Sequence, residues 1–293
     1  MLMKKYIVTL WAVALMLLTA ACGGSGSRSA KRLAVSIEPQ RYLLEHIAGD
    51  RWEVVTLLEK GSDPENFDPT VSLLRSVSEA DAYFIVGTMD FEKSVAGRLS
   101  SGNPDIKIVD TSKGIELLTG THSHRGSDGS VHTHTVADPH TWSSLPNAIV
   151  MATNMCDALV EIDPDNAGIY RANCDTLVAQ LEAVHRDITA ELVQSPHRRF
   201  LIWHPSLSYF ARDYSLEQIS LGDTNRELSP LTFKNNIDIA SNADSIVMFT
   251  QTDYDYNRSD AVARQARART VEINQLDYDF VSGLQTIAKE IAR

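Results

Sequence analysis

Four short stretches carry residue types able to bind a ligand or drive a reaction. They are Gly61-Ser62-Asp63-Pro64-Glu65-Asn66-Phe67-Asp68-Pro69, Asp138-Pro139-His140-Thr141-Trp142, Trp203-His204-Pro205 and Glu272-Ile273-Asn274-Gln275-Leu276. Prolines next to Glu65, His140 and His204 stiffen the backbone that would aim these side chains. Imidazole nitrogens and a carboxylate oxygen brought from separate stiff loops suit zinc or another first-row divalent ion. Taken singly, a loop histidine is more often just hydrogen-bonded; the signal lies in the combination. A fifth stretch, His122-Ser123-His124 and His132-Thr133-His134, sets four histidines in a polar segment containing glycine and serine. That composition goes with metal binding, the plain alternative being a solvated loop whose histidines do nothing. Two histidines and a carboxylate with an open position also occur in metallohydrolases and non-haem iron oxygenases. The chain, however, has no HExxH helix and no GxSxG elbow. No general base adjoins the candidate ligands either, so the expectation is a binding protein rather than an enzyme.

The elements that must position these loops alternate. Leu33–Ile37, Val54–Leu58, Tyr83–Val86 and Ile106–Val109 are short, rich in β-branched residues and bounded by polar residues or glycine, as strands are. Gln40–Ile47 and Thr70–Glu79 lie between them with helical patterning. A polar loop is expected from Gly120 to Ala137, then a helix from Pro146 to Glu161. The same alternation returns with strands Phe200–Trp203, Leu216–Ile219, Ser245–Phe249 and Thr270–Ile273. Helices are expected around Ser206–Tyr214, Pro230–Asn242, Ser259–Ala268 and Asp277–Ile291. Between the two runs, Tyr170, Cys174, Leu177, Leu181, Val184, Ile188 and Leu192 recur every three or four residues. Asp163 is placed to cap this helix and Pro164 to occupy its first position. From residue 163 to 195 it would reach roughly 45 Å, enough to join two lobes. The expected fold class is therefore α/β, with two lobes, each a small parallel sheet flanked by helices, bridged by one long helix. The boundaries are 31–162 for the first lobe, 163–195 for the bridge and 196–293 for the second lobe. Ligands in such sheets bind at loops beyond the strand C-termini, where the candidate residues lie.

The 293-residue chain has ordinary globular composition and a formal charge of −11. Loss of Lys4 and Lys5 with a leader makes it more acidic still. No lysine or arginine stripe is left to follow a phosphate backbone, which argues against nucleic acid as a partner. Met1 to Ala21 reads as an export signal, with two lysines, an apolar core from Tyr6 to Leu18, then small residues. The apolar run is short for a membrane span. Cys22 follows, then a flexible linker over 22–30, an order that resembles a bacterial lipoprotein signal with Cys22 as the lipidated residue. Thr19 stands where such signals usually carry leucine. Cys156 and Cys174 lie on two predicted helices at similar distances from the Asp163-Pro164 turn, and either a disulfide or two buried free thiols is compatible with that spacing.

Residue by residue, the chain resembles the metal-binding solute receptors of bacterial zinc and manganese ABC importers, the cluster A-I family. The resemblance is carried by Ser36-Ile37-Glu38-Pro39, Gly49-Asp50, the Gly61–Pro69 and Asp138–Trp142 loops, and the run His204-Pro205-Ser206-Leu207-Ser208-Tyr209-Phe210-Ala211-Arg212-Asp213-Tyr214. It continues through Glu227-Leu228-Ser229-Pro230 and the last strand. It implies a divalent ion held in the cleft between two bridged lobes and delivered to an ABC permease. It also implies a monomer on the outer side of a membrane, tethered through Cys22. The family's usual ligands are three histidines and a carboxylate. His140 and His204 match two of the histidines, Glu65 stands at the first histidine's place and Asn274 at the carboxylate's. Asn274 offers a neutral carbonyl oxygen at best, with Glu272 or Asp277 as substitutes. The resemblance favours zinc through the histidine-rich loop, His122, His124, His132 and His134, expected to be mobile and to bind extra zinc weakly. Glu65 moves the site toward oxygen and so toward manganese or iron(II). A receptor that has lost tight metal binding and acts as an adhesin is the further alternative.

Overall fold

The computed structural model describes residues 31–58, 62, 64, 67–125, 131–222, 229–242, 246–251 and 256–293. The leader, the linker and Cys22 lie outside the described residues. The first sheet is built from β1 (Arg32–Val35), β2 (Glu53–Thr56), β3 (Ala82–Ile85) and β4 (Lys107–Asp110). Between them run α1 (Glu38–Ala48), α2 (Val71–Ser78) and α3 (Asp90–Gly102). All pairings are parallel and the spatial order is β2-β1-β3-β4. After β5 (Thr119–Arg125), β6 (Val131–Ala137), α4 (Leu145–Ile162) and the long α5 (Ala167–Gln194) comes a second parallel sheet. It consists of β7 (Arg199–Ile202), β8 (Glu217–Ser220), β9 (Val247–Gln251) and β10 (Arg269–Ile273), in the order β10-β9-β7-β8. Helices α6 (Ser208–Asp213), α7 (Pro230–Ser241), α8 (Tyr256–Ala266) and α9 (Phe280–Ala292) complete the chain. Both sheets thus have the same strand order, and the expected pair of parallel sheets joined by one long helix is what the molecule contains.

Residue alternation explains the layering. In β7, Phe200 and Ile202 face the large core shared with the bridging helix, while Leu201 faces a second core with Ile219, Ile237, Met248 and Val262. A strand buried on both faces needs apolar residues on both, as Phe200, Leu201 and Ile202 supply. The bridge α5 packs along α1 and α4 from the first half and α9 from the second. Tyr170, Cys174, Leu177, Leu181, Ile188 and Leu192 are buried as the periodicity required. Val184 is only partly covered. Arg32–Arg293 cluster as one compact unit. No helix among the described residues is long and apolar enough to cross a membrane.

Four expectations need correction. The segment expected as a mobile polar loop forms a two-stranded antiparallel sheet, β5 on β6, with His122 opposite His134 and His124 opposite His132. Threonines, valines and histidines on the two strands satisfy backbone hydrogen bonding across an antiparallel ribbon. The bridge begins at Ala167, after a 3-10 turn over Pro164–Asn166. Asp163 does not cap it through its side chain. Its Oδ2 instead accepts from the Tyr170 hydroxyl at 2.7 Å and the Asn166 amide at 2.9 Å. Helix α3 has no counterpart in the sequence reading, because its apolar residues Phe91, Val95 and Leu99 are sparse among polar ones. The last helix starts at Phe280, with Asp279 accepting from Ser282 N–H, rather than at Asp277.

Candidate metal centre

His140 and His204 meet. His204 lies two residues beyond the end of β7, and His140 sits in the turn that leads through a 3-10 turn (Thr141–Ser143) into α4. Their Nε2 atoms are 3.1 Å apart, across 64 residues of sequence, and both side chains are buried. His140 Nδ1 lies 2.8 Å from Asp138 Oδ1, and the same oxygen accepts the His140 backbone N–H at 2.9 Å. Burial alone would push the Asp138 carboxyl up, but the hydrogen bonds it accepts from His140 hold it below its ordinary value. The pair fixes the tautomer: with its Nδ1–H given to Asp138, His140 presents a bare Nε2, and His204 Nε2–H donates to it.

The second lobe holds its histidine from behind. Gln251, at the end of β9, accepts the His204 N–H through Oε1 at 3.0 Å, and its Nε2 donates to the His204 carbonyl at 3.3 Å and to Ser206 Oγ at 2.7 Å. Strands β7 and β9 are adjacent, and their C-terminal ends are where this sheet order opens a crevice. Around the histidines the two lobes are latched. The Tyr209 hydroxyl donates to Asp138 O at 2.8 Å, and Trp142 Nε1 donates to Gln275 O at 3.0 Å. Arg212 donates to Glu116 O at 3.2 Å and to Asn147 Oδ1 at 3.3 Å. Ser144 Oγ donates to Asp213. Asp138, Tyr209 and Gln251 were not read from the sequence as site residues. The only signal for Asp138 was its place two residues before His140.

Glu65 lies outside the described residues. Asn274 is described and lines a cavity of about 290 Å³ with Trp142, Glu272, Gln275 and Asp277. Its Oδ1 accepts the Leu276 N–H at 3.0 Å, closing its own turn. The histidines do not line that cavity. Glu272 and Asp277, the substitutes considered for Asn274, are exposed at its rim. Among the described residues no third imidazole, thiolate or carboxylate joins His140 and His204 as a metal-ligand group. Of the four hairpin histidines, only the backbone positions on β5 and β6 are described.

In the first lobe the equivalent crevice, between the ends of β1 and β3, is filled by a buried polar knot. The Glu92 carboxylate accepts from Ser36 Oγ, from Val86 N–H at 2.6 Å and from Gly87 N–H at 2.7 Å. Ser36 Oγ is 2.8 Å from the Tyr83 hydroxyl. Thr88, in the same turn, donates to Pro139 O at 3.0 Å, one residue from His140. Desolvation drives Glu92 up to about 7 against these hydrogen bonds, and burial beside it raises Tyr83.

Two similar α/β lobes, a long bridging helix and a histidine pair closing between them define an interlobe receptor. Residues 33–293 match the family described as zinc-uptake complex component A, periplasmic (ZnuA), and the chain belongs to that family of metal-binding solute receptors of ABC importers. A crystal structure of ZnuA superposes with a TM-score of 0.80 at 34% identity, covering 90% of this chain and 98% of that one. A Chlamydia muridarum protein whose name assigns it metal binding is 30% identical over 202 residues, 68% of each chain. The manganese-binding lipoprotein MntA of Halalkalibacterium halodurans is 26% identical over 259 residues, 85% of this chain and 82% of that one.

Proposed function

We propose that this receptor captures zinc between its lobes, with His140 and His204 as the first two ligands, and hands it to the permease. The observation that carries this reading is the 3.1 Å separation of the two Nε2 atoms. Two nitrogens about 2.0–2.1 Å from a tetrahedral zinc ion lie roughly 3.3 Å apart, so the pair is nearly set for the ion. Binding requires His204 to move its proton from Nε2 to Nδ1, so that both inner nitrogens offer lone pairs. Asp138 behind His140 fixes the orientation of that ligand. Glu65 supplies an anionic oxygen and offsets one of the two positive charges brought into a buried site. Asn274, whose oxygen already accepts from Leu276, is the weakest member of the set. The acidic chain favours arrival of a cation. The histidines of β5 and β6 add weak zinc sites of their own.

Zinc rather than manganese is supported by two imidazoles and by the likeness to ZnuA. Glu65 and the likeness to MntA support manganese as the competing cargo. A monomer without catalytic activity, with lobes over 31–162 and 196–293 on either side of the α5 bridge and an anchor at Cys22, completes the proposal. The deciding experiment is calorimetric titration of metal-stripped protein with zinc and, separately, manganese. Tight zinc binding, with His140→Ala and His204→Ala each weakening it at least about 100-fold, is the expected result. Unchanged affinity in both variants would remove the proposed site; tighter manganese than zinc would reverse the cargo.

A further inference from the structure

Helices α4 and α5 run side by side, joined by the turn at Asp163, and each carries one buried cysteine. Cys156 and Cys174 are both reduced and almost fully covered, at 5% and 6% exposure. Cys174 Sγ lies 3.8 Å from the Ala152 carbonyl. That carbonyl is four residues before Cys156, so it is the acceptor of the Cys156 N–H in the helix ladder. The sulfur of Cys174 therefore reaches the turn of α4 that carries Cys156. Neither thiol takes part in the histidine site. Two cysteines buried on facing turns of packed helices are as well placed to bond as to pack, and the compartment decides. Members of this family work outside the cytoplasm, where dithiol–disulfide oxidants persist.

We propose that Cys156 and Cys174 are joined by a disulfide in the exported protein. The bond staples the bridging helix to the first lobe. Two S–H bonds are lost and one S–S bond forms. The two electrons pass to a protein disulfide of the oxidoreductase class, which is reduced to two thiols, by way of a mixed disulfide. Burial raises both thiols, Cys174 to about 12, so thiolate is scarce once the core has closed. Oxidation accordingly belongs to the stage when the α4–α5 hairpin has formed but is not yet covered. The same burial shields the finished bond from reductants.

The test is peptide mapping of the full chain after export to an oxidising compartment, with free thiols alkylated in denaturant. The expected result is a Cys156–Cys174 linked pair, lighter than the separate peptides by two hydrogens. Reduction should lower the melting temperature by about 5 °C, the effect of opening a short cross-linked loop in a chain of this size. The Cys156→Ser/Cys174→Ser double variant should be insensitive to reductant. Alkylation of both thiols in the exported chain, persisting after refolding in an oxidising glutathione buffer, would overturn the proposal. Because the readout is covalent, it is independent of whether His140 and His204 bind zinc.

Discussion

Asp138 lies behind His140, and the chemistry of that imidazole depends on it. Its carboxylate at 2.8 Å from Nδ1 decides which imidazole nitrogen faces His204. Asp138→Asn keeps the size but removes the charge, and its amide can orient to favour the wrong tautomer. Zinc affinity is expected to fall about 10–100-fold with little loss of fold, as read by chelator competition and circular dichroism. Glu92 makes a different prediction at the same scale. Its folded pKa of about 7 stands above the ordinary 4.5, so the folded protein holds that proton more tightly than the unfolded chain does. The stabilisation is fully present below about pH 4.5 and is lost as pH rises through 7. Glu92→Gln should remove that slope. The stability advantage of the parent chain over the variant is expected to shrink by about 3 kcal/mol between pH 4.5 and pH 8 in urea unfolding. Parallel pH profiles would show that Glu92 is not the group responsible.

Between strand and helix, the turn after β3 governs how the first lobe meets the site. Gly87 has φ of 94°, in the left-handed region, and an added Cβ would lie 2.2 Å from Asp110 Oδ1. That oxygen already accepts from Ser112 N–H and Oγ at 2.9 and 2.8 Å. Gly87→Ala therefore combines backbone strain with displacement of a satisfied carboxylate, and should destabilise the fold by roughly 3 kcal/mol in denaturant titration. A loss under about 1 kcal/mol would mean that the turn relaxes freely. The same turn gives Thr88 to Pro139, so it braces the loop of His140. The β5–β6 ribbon is the converse case, an element built by cross-strand backbone bonding where polar composition alone suggested a loop.

Across the whole molecule, the bridge and the latches act together. Helix α5, 28 residues and about 42 Å long, packs on both halves. Tyr278 of the second lobe donates to Glu45 of α1 at 2.7 Å, while Arg41 lies over its ring at 4.9 Å. With Trp142–Gln275 and Tyr209–Asp138, this holds the lobes on more than one side of the histidines. Such contacts favour small rearrangements over wide hinge opening. An ion gripped by residues of both lobes should stabilise the molecule as a unit. At zinc one hundred times its dissociation constant the gain is about 2.7 kcal/mol, a rise in melting temperature of roughly 5–10 °C. His204→Ala should abolish the rise. A rise that persists in that variant would place the stabilising zinc elsewhere, for instance on the β5–β6 histidines.

The sequence by itself determined what is local or periodic. Alternating apolar runs prescribed two parallel sheets, and the spacing from Tyr170 to Leu192 prescribed a long helix with one buried face, because burial demands those periods whatever the partner. Residue type marked His140 and His204 as ligand candidates, and neighbouring prolines marked their loops as stiff. Tertiary structure decided everything that rests on distance between remote residues. The 3.1 Å approach of His140 to His204 follows from the docking of two lobes, and no spacing along the chain encodes it. Nor does any spacing encode the aim of Asp138 at an imidazole nitrogen, the grip of Gln251 on the next loop, or the meeting of Cys156 and Cys174. Asp163 illustrates the divide: locally it is a good helix cap, but the buried Tyr170 hydroxyl needed an acceptor. That tertiary demand outweighed the local preference, because an unsatisfied buried hydroxyl costs more than a backbone N–H left to water.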